Sequence, residues 1–198
     1  MPSEEEKKEL KKIKGKIRGA ALLTDIKYIK KHKQEKKQKE IFKDLKKDIP
    51  DFNAKKIKNT EWYPLWWRVL LLVILKEKFK WSNKALFKMG REAPLNSFIV
   101  KILLRYFTSL EKTCRQVNAY WKKHYSRGQM EAGEFNQEKK YVVFRLKNFK
   151  IHPLLCTYLR GYFNGLADLT IGSEEVNTEE TKCSFEGDPY HEFVIKWK

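Results

Sequence analysis

Four side chains in the C-terminal quarter of the chain are of types that hold metal ions: Cys156, Glu180, Cys183 and His191. Two thiolates, a carboxylate and an imidazole form an acceptable tetrahedral donor set for zinc. Glu180 and Cys183 are spaced E-x-x-C, and His191 follows across a turn containing Gly187-Asp188-Pro189. Cys156 stands one turn into a helix that Pro153 opens, and a helix N-terminus favours a thiolate. These groups meet only if the start of that helix packs against the closing hairpin. The spacing between Cys156 and Cys183 matches no recognised ligand pattern, so Cys156 as a small core residue and His191 as an ordinary strand residue remain the alternative. Cys114, on a helix with no spaced partner, reads as packing.

The elements that must position these residues can be followed along the chain. Residues 4–18 place glutamates before lysines, as the helix dipole prefers, and read as the fraying start of a basic helix. Asp25 to about Lys47 reads as a helical stretch with Ile26, Ile29, Ile41, Phe42 and Leu45 as its apolar points. Its middle, Lys30 to Lys39, is polar all round, which leaves open an exposed turn between two helices. The run from Trp62 to Leu75 is the strongest apolar signal, with Pro64 in a first-turn position and Arg68 as an interruption. It falls short of the roughly 20 apolar residues of a membrane span and reads as a central core helix.

Asn83 starts another helix that breaks or kinks at Pro94, and Leu95 to about Leu110 is apolar at helical spacing. A shorter helix with Val117, Tyr120, Trp121 and His124 ends near Gly128. Gln129–Phe135 and Lys140–Leu146 read as a β-hairpin, and Pro153 to about Ile171 as a helix. Glu174–Lys182 and His191–Lys198 read as closing strands, the last with His191, Phe193, Ile195 and Trp197 on one face. The order predicts an α+β fold: an N-terminal helical layer packed on a small antiparallel sheet, with a C-terminal half of hairpin, helix and hairpin. Residues 19–198 are expected to form a single domain after the basic helix of residues 1–18.

The chain has 198 residues with a net charge of +18 and 14% aromatics, a globular composition with a bias towards anionic partners. Residues 1–60 carry 20 basic and 10 acidic side chains, and residues 170–198 carry 3 basic and 7 acidic ones. The excess is lysine, with only 8 arginines in the chain, which suits specific phosphate recognition poorly. A solvated helix face competes with nucleic acid or an anionic membrane surface as its meaning. Three cysteines and a charged start, Met1-Pro-Ser-Glu-Glu-Glu-Lys-Lys, give a reducing, cytoplasmic setting as the expectation.

Cys156-Thr-Tyr-Leu-Arg-Gly161-Tyr-Phe-Asn-Gly165, with Val176, Glu180, Cys183, Gly187-Asp188 and Glu192-Phe193-Val194-Ile195, resembles the C-terminal half of the 4-vinyl reductase domain family. That family belongs to a superfamily shared with haem nitric-oxide-binding domains and the small subunits of TRAPP tethering complexes. The family pattern has a third cysteine where His191 stands, and histidine is also a competent zinc ligand. Upstream, Trp62-Tyr63-Pro64-Leu65 and Trp121 through Gly128 extend the likeness more loosely, and only about the last 45 residues carry specific motifs.

The resemblance implies a non-enzymatic ligand-binding or sensor module with an apolar pocket for a hydrophobic or aromatic molecule or an acyl chain. It also implies a structural zinc and a homodimer formed through N-terminal helices; a signal is expected to pass to a separate partner protein. Trp66, Trp67, Leu70, Ile74, Phe98, Ile102, Tyr106 and Trp121 are the residues expected to line the pocket, or else simply to form the core. No phosphate-binding glycine loop, G-x-S-x-G elbow or H-E-x-x-H stretch points to an enzyme. Haem is not expected: the Y-x-S-x-R signature is missing, and His124 and His152 would be axial ligands only by coincidence. A TRAPP-like assembly subunit with a filled pocket, and a lysine-driven binder of nucleic acid or anionic membrane, are the alternatives.

Overall fold

The computed structural model describes residues 2–33, 35–97, 100, 114–171 and 175–198. Helix α1 (Glu4–Lys11) starts where the Ser3 hydroxyl accepts from the Glu6 amide, with glutamates in its first turn. The chain then leaves the helix for a three-residue strand, β1 (Lys16–Arg18), which pairs antiparallel with β2 (Trp62–Pro64). Ile17 on β1 is fully buried, and β1 leads directly into α2 (Gly19–His32).

The stretch from Asp25 to Lys47 is two helices rather than one. Helix α2 ends at His32, Lys33 is extended, and α3 (Glu35–Asp48) begins two residues later. The polar zone that suggested a turn is where the break falls, since it offers no apolar face to hold a continuous rod. Helix α4 (Leu65–Lys78) follows β2 and is buried along most of its length. Helix α5 (Asn83–Asn96) runs two residues beyond Pro94, which sits in its last turn, so the helix ends after the proline rather than at it. The apolar segment from Leu95 to Leu110 lies mostly outside the described residues.

Helix α6 (Val117–His124) leads into β3 (Gln129–Asn136) and β4 (Tyr141–Lys147). Helix α7 (Pro153–Ile171) precedes β5 (Val176–Lys182) and β6 (Tyr190–Trp197). The four strands form one antiparallel sheet in the order β3-β4-β6-β5. Helix α7 lies on its apolar face, where the Phe163 ring centroid is 5.7 Å from that of Phe144 and 5.0 Å from that of Phe193. His191, Phe193, Ile195 and Trp197 are all buried, as the alternation predicts. The fold is thus α+β, with seven described helices and a four-stranded antiparallel sheet in the C-terminal part.

Helices α5 and α7 approach unusually closely. A Cβ on Gly161 would come within 2.1 Å of the Phe87 carbonyl oxygen, and one on Gly165 within 2.0 Å of that of Arg91. Gly90 on α5 makes the reciprocal approach to the Tyr158 carbonyl. Small residues at helical spacing therefore let two backbones touch, and this fixes the start of α7 relative to the rest.

Candidate metal centre and ligand cavity

Cys156 lies in the first turns of α7, Glu180 near the end of β5, Cys183 just beyond it, and His191 at the start of β6. Residues three apart on a regular strand point to opposite faces. The register between β5 and β6 slips between Glu180 and Lys182, and this bulge turns Glu180 and Cys183 to the same side. Beyond the bulge the chain closes on itself: the Asp188 carboxylate accepts from the Cys183 amide at 2.8 Å, and the Glu186 amide donates to the Cys183 carbonyl at 2.9 Å. Gly187 completes this turn at φ +102°, a conformation that disfavours any side chain. The G-D pair thus has a mechanical role: it holds Cys183 against the start of α7.

The four donor atoms lie within 4.8 Å of one another. Cys156 Sγ is 3.9 Å from Cys183 Sγ and 3.7 Å from His191 Nδ1, and His191 Nδ1 is 2.9 Å from Glu180 Oε1. Zinc–thiolate bonds of about 2.3 Å set in a regular tetrahedron separate two sulfurs by about 3.8 Å. The sulfur–sulfur distance matches that edge and is far longer than a disulfide of about 2.05 Å. Burial pushes the Cys156 thiol up, and the nearby Glu180 carboxylate pushes it further; burial raises Cys183 as well. A divalent cation would relieve both effects by supplying the charge that buried thiolates need. The donor set fits zinc, which when bound would cross-link α7 to the hairpin without acting on a substrate.

A second feature lies further along α7. A partly open cavity of about 90 Å³ is bounded by α2, α4, α5, α6, α7 and the sheet. Trp121, Tyr120, Phe144, Leu159, Tyr162 and Phe163 give it an apolar wall. Of the residues expected to line a pocket, Trp121 does so. Leu70 and Ile74 are buried in the helical core, and Trp66 and Trp67 are half-buried in a row of rings with Tyr63 and Phe52; none of these four borders the cavity. The physical reason is that an all-apolar helix packs solid, so α4 reaches the cavity only at Arg68. Phe98, Ile102 and Tyr106 lie outside the described residues.

Sequence reasoning missed the polar groups of this wall. Arg68 donates from Nε to Asp25 at 2.7 Å and from Nη2 to the other carboxylate oxygen at 3.2 Å, and both residues are buried. Its Nη1 donates to the Tyr125 hydroxyl, and the Tyr158 hydroxyl donates to Asp25 at 2.7 Å. An arginine inside an apolar helix must find such a partner, and that rule was the available signal. His124, at the end of α6, faces the cavity without a hydrogen-bond partner among the described residues. Burial, with Arg68 and Arg18 nearby, lowers its pKa to about 4, so the ring stays neutral and keeps one donor and one acceptor. His152 instead accepts from the Leu154 amide at the start of α7, outside the cavity wall.

Neither the family models nor the curated proteins give a match to this chain. Solved structures do, and they define its class: the fold is that of the H-NOX domains. An H-NOX protein from S. oneidensis in the Fe(II)NO ligation state superposes with a TM-score of 0.67 over 92% of this chain and 99% of its own, at 9% identity. A structure described for the molecular mechanism of H-NOX activation gives 0.64 over 92% and 97%, at 15% identity. An oxygen-binding H-NOX domain related to soluble guanylate cyclases gives 0.64 over 92% and 95%, at 14% identity. At these identities the likeness is one of fold alone.

Haem, which this fold implies, exceeds the space of about 90 Å³ that the described residues leave, although His124 would offer it an imidazole. Drug-sized ligands fill clefts of about 300–1,000 Å³, and haem is larger than most of them. The space here is about 90 Å³, and its one guanidinium, Arg68, is already engaged by Asp25 and Tyr125. Among the described residues no helix is long and apolar enough to cross a membrane.

Proposed function

We propose that this chain is a non-enzymatic sensor domain that binds one small hydrophobic or aromatic molecule in the cavity. In this reading the Cys156–Glu180–Cys183–His191 cluster holds a structural zinc. The observation that carries the binding role is the apolar cavity with a neutral imidazole on its wall that has no hydrogen-bond partner among the described residues. An apolar cavity of about 150 Å³ takes benzene or xenon. A partly open space of about 90 Å³ suits a single ring or a short chain rather than a macrocycle. His124 would then bond one hydroxyl or carbonyl on that molecule, with apolar contacts elsewhere. The donor set and the turn geometry support the zinc, which would keep α7 and the hairpin in register beneath the cavity.

A melting-temperature titration with phenol, toluene and indole, set beside haemin followed by its absorption spectrum, tests the reading. The expected result is a rise in melting temperature with ligand concentration for the single-ring compounds, and no stoichiometric haemin complex. A stoichiometric haemin spectrum, with no response to the small aromatics, would overturn it.

A further inference from the structure

The outer face of α3 has a use that the cavity and the metal cluster do not explain. Lys36, Lys39, Lys43, Lys46 and Lys47 are all exposed. At about 100° per residue they fall within an arc of about 100°, opposite the buried Ile41 and Leu45, and at 1.5 Å per residue they span about 16 Å. Lys39 pairs with Glu35 and Lys47 with Asp44, whereas Lys36, Lys43 and Lys46 have no acidic partner among the described residues. On the flank of the stripe Phe42 is half-buried and its ring lies 6.1 Å from that of Phe52, which meets Trp67 at 6.1 Å. Trp67 in turn contacts Trp66. Lys11 reaches over the Trp66 ring and also towards Asp48 at the end of α3, which ties this aromatic row to the stripe.

We propose that this face binds the surface of an anionic lipid bilayer. It stands independently of the ligand-binding reading. A straight row of lysines on one helix face meets a diffuse, planar negative charge without needing any fixed geometry, and lysines adjacent to anionic headgroups are attracted over about a Debye length. Half-buried tryptophans beside lysines belong to the polar–apolar boundary of a bilayer. A nucleic-acid surface would be expected to present arginine forks to phosphates. Only Arg18 lies in residues 1–60, and it is engaged by the Trp62 ring and by the Lys123 and Thr60 carbonyls.

The test is co-sedimentation of the full chain with phosphatidylcholine vesicles and with vesicles one-third phosphatidylserine, at low and physiological salt, beside a short DNA duplex. Two triple variants accompany the parent. One carries Lys36→Glu, Lys43→Glu and Lys46→Glu; the other carries the same charge change elsewhere, at the exposed Lys122→Glu, Lys139→Glu and Lys196→Glu. All substituted side chains are exposed, and unchanged near-ultraviolet dichroism verifies folding. The parent and the second variant should bind the phosphatidylserine vesicles with affinity that falls as salt rises, and the α3 variant should bind at least about tenfold more weakly. The proposal is overturned if the parent ignores phosphatidylserine vesicles at low salt, if both variants weaken equally, or if the duplex binds and the vesicles do not.

Discussion

At the scale of single residues, the chemistry rests on which polar groups are buried together. Cys156, Glu180, Cys183 and His191 were legible in the sequence because their types are rare and their spacing brackets one turn. Arg68 stood out as a charge in an apolar helix, but its partner Asp25 did not, since nothing local marks a partner on another helix, and nothing local shows that His124 faces a cavity. Replacing Cys183 with Ser should abolish metal content, from near one zinc per chain in the parent, as measured by elemental analysis of purified protein; zinc in neither would leave the two cysteines as packing groups. Replacing Arg68 with Met would leave the Asp25 carboxylate buried beside Tyr158. That should cost about 3–5 kcal/mol in denaturant unfolding. For His124 the folded pKa of about 4 lies below the ordinary 6.5. The unfolded chain therefore binds the proton first, so stability is full above about pH 6.5 and declines as pH falls towards 4, by about 2–3 kcal/mol. His124→Gln should remove that part of the pH dependence of the unfolding free energy; an unchanged slope would place the titration elsewhere.

At the scale of elements, the C-terminal half was readable because its periodicities are strict. Alternation on β6 and the apolar spacing of α7 each admit one reading, and the structure follows both. The short strands β1 and β2 were invisible because three residues carry no period, and their pairing is set by distant partners such as Ile17 and Tyr63. Pro94 did not end α5, because a proline in the last turn removes a single hydrogen bond while the helix is held by its packing on α7. That packing gives a sharp expectation. Gly161→Ala puts a methyl group 2.1 Å from the Phe87 carbonyl oxygen, so the two backbones must separate. Thermal unfolding should show a loss of about 1–3 kcal/mol, whereas an unchanged melting temperature would mean that the helices are free to move apart.

At the scale of the whole molecule, one helix, α7, contributes to both candidate sites. Its first turns carry Cys156 towards the hairpin, and its next turns carry Tyr158, Leu159, Tyr162 and Phe163 to the cavity wall. The α+β class was legible from the order of elements, but the cavity was not, because empty space depends on how side chains from five helices and the sheet fail to meet. The fold is like that of the H-NOX domains, and in the proposed reading its cavity takes a molecule far smaller than haem. A crystal structure of the protein soaked with phenol tests this most directly. The account predicts electron density for one ring between Trp121 and Phe163, with its hydroxyl within hydrogen-bond distance of His124. A cavity that stays empty or filled by protein side chains at saturating phenol, or one that opens to hold haem, would contradict it.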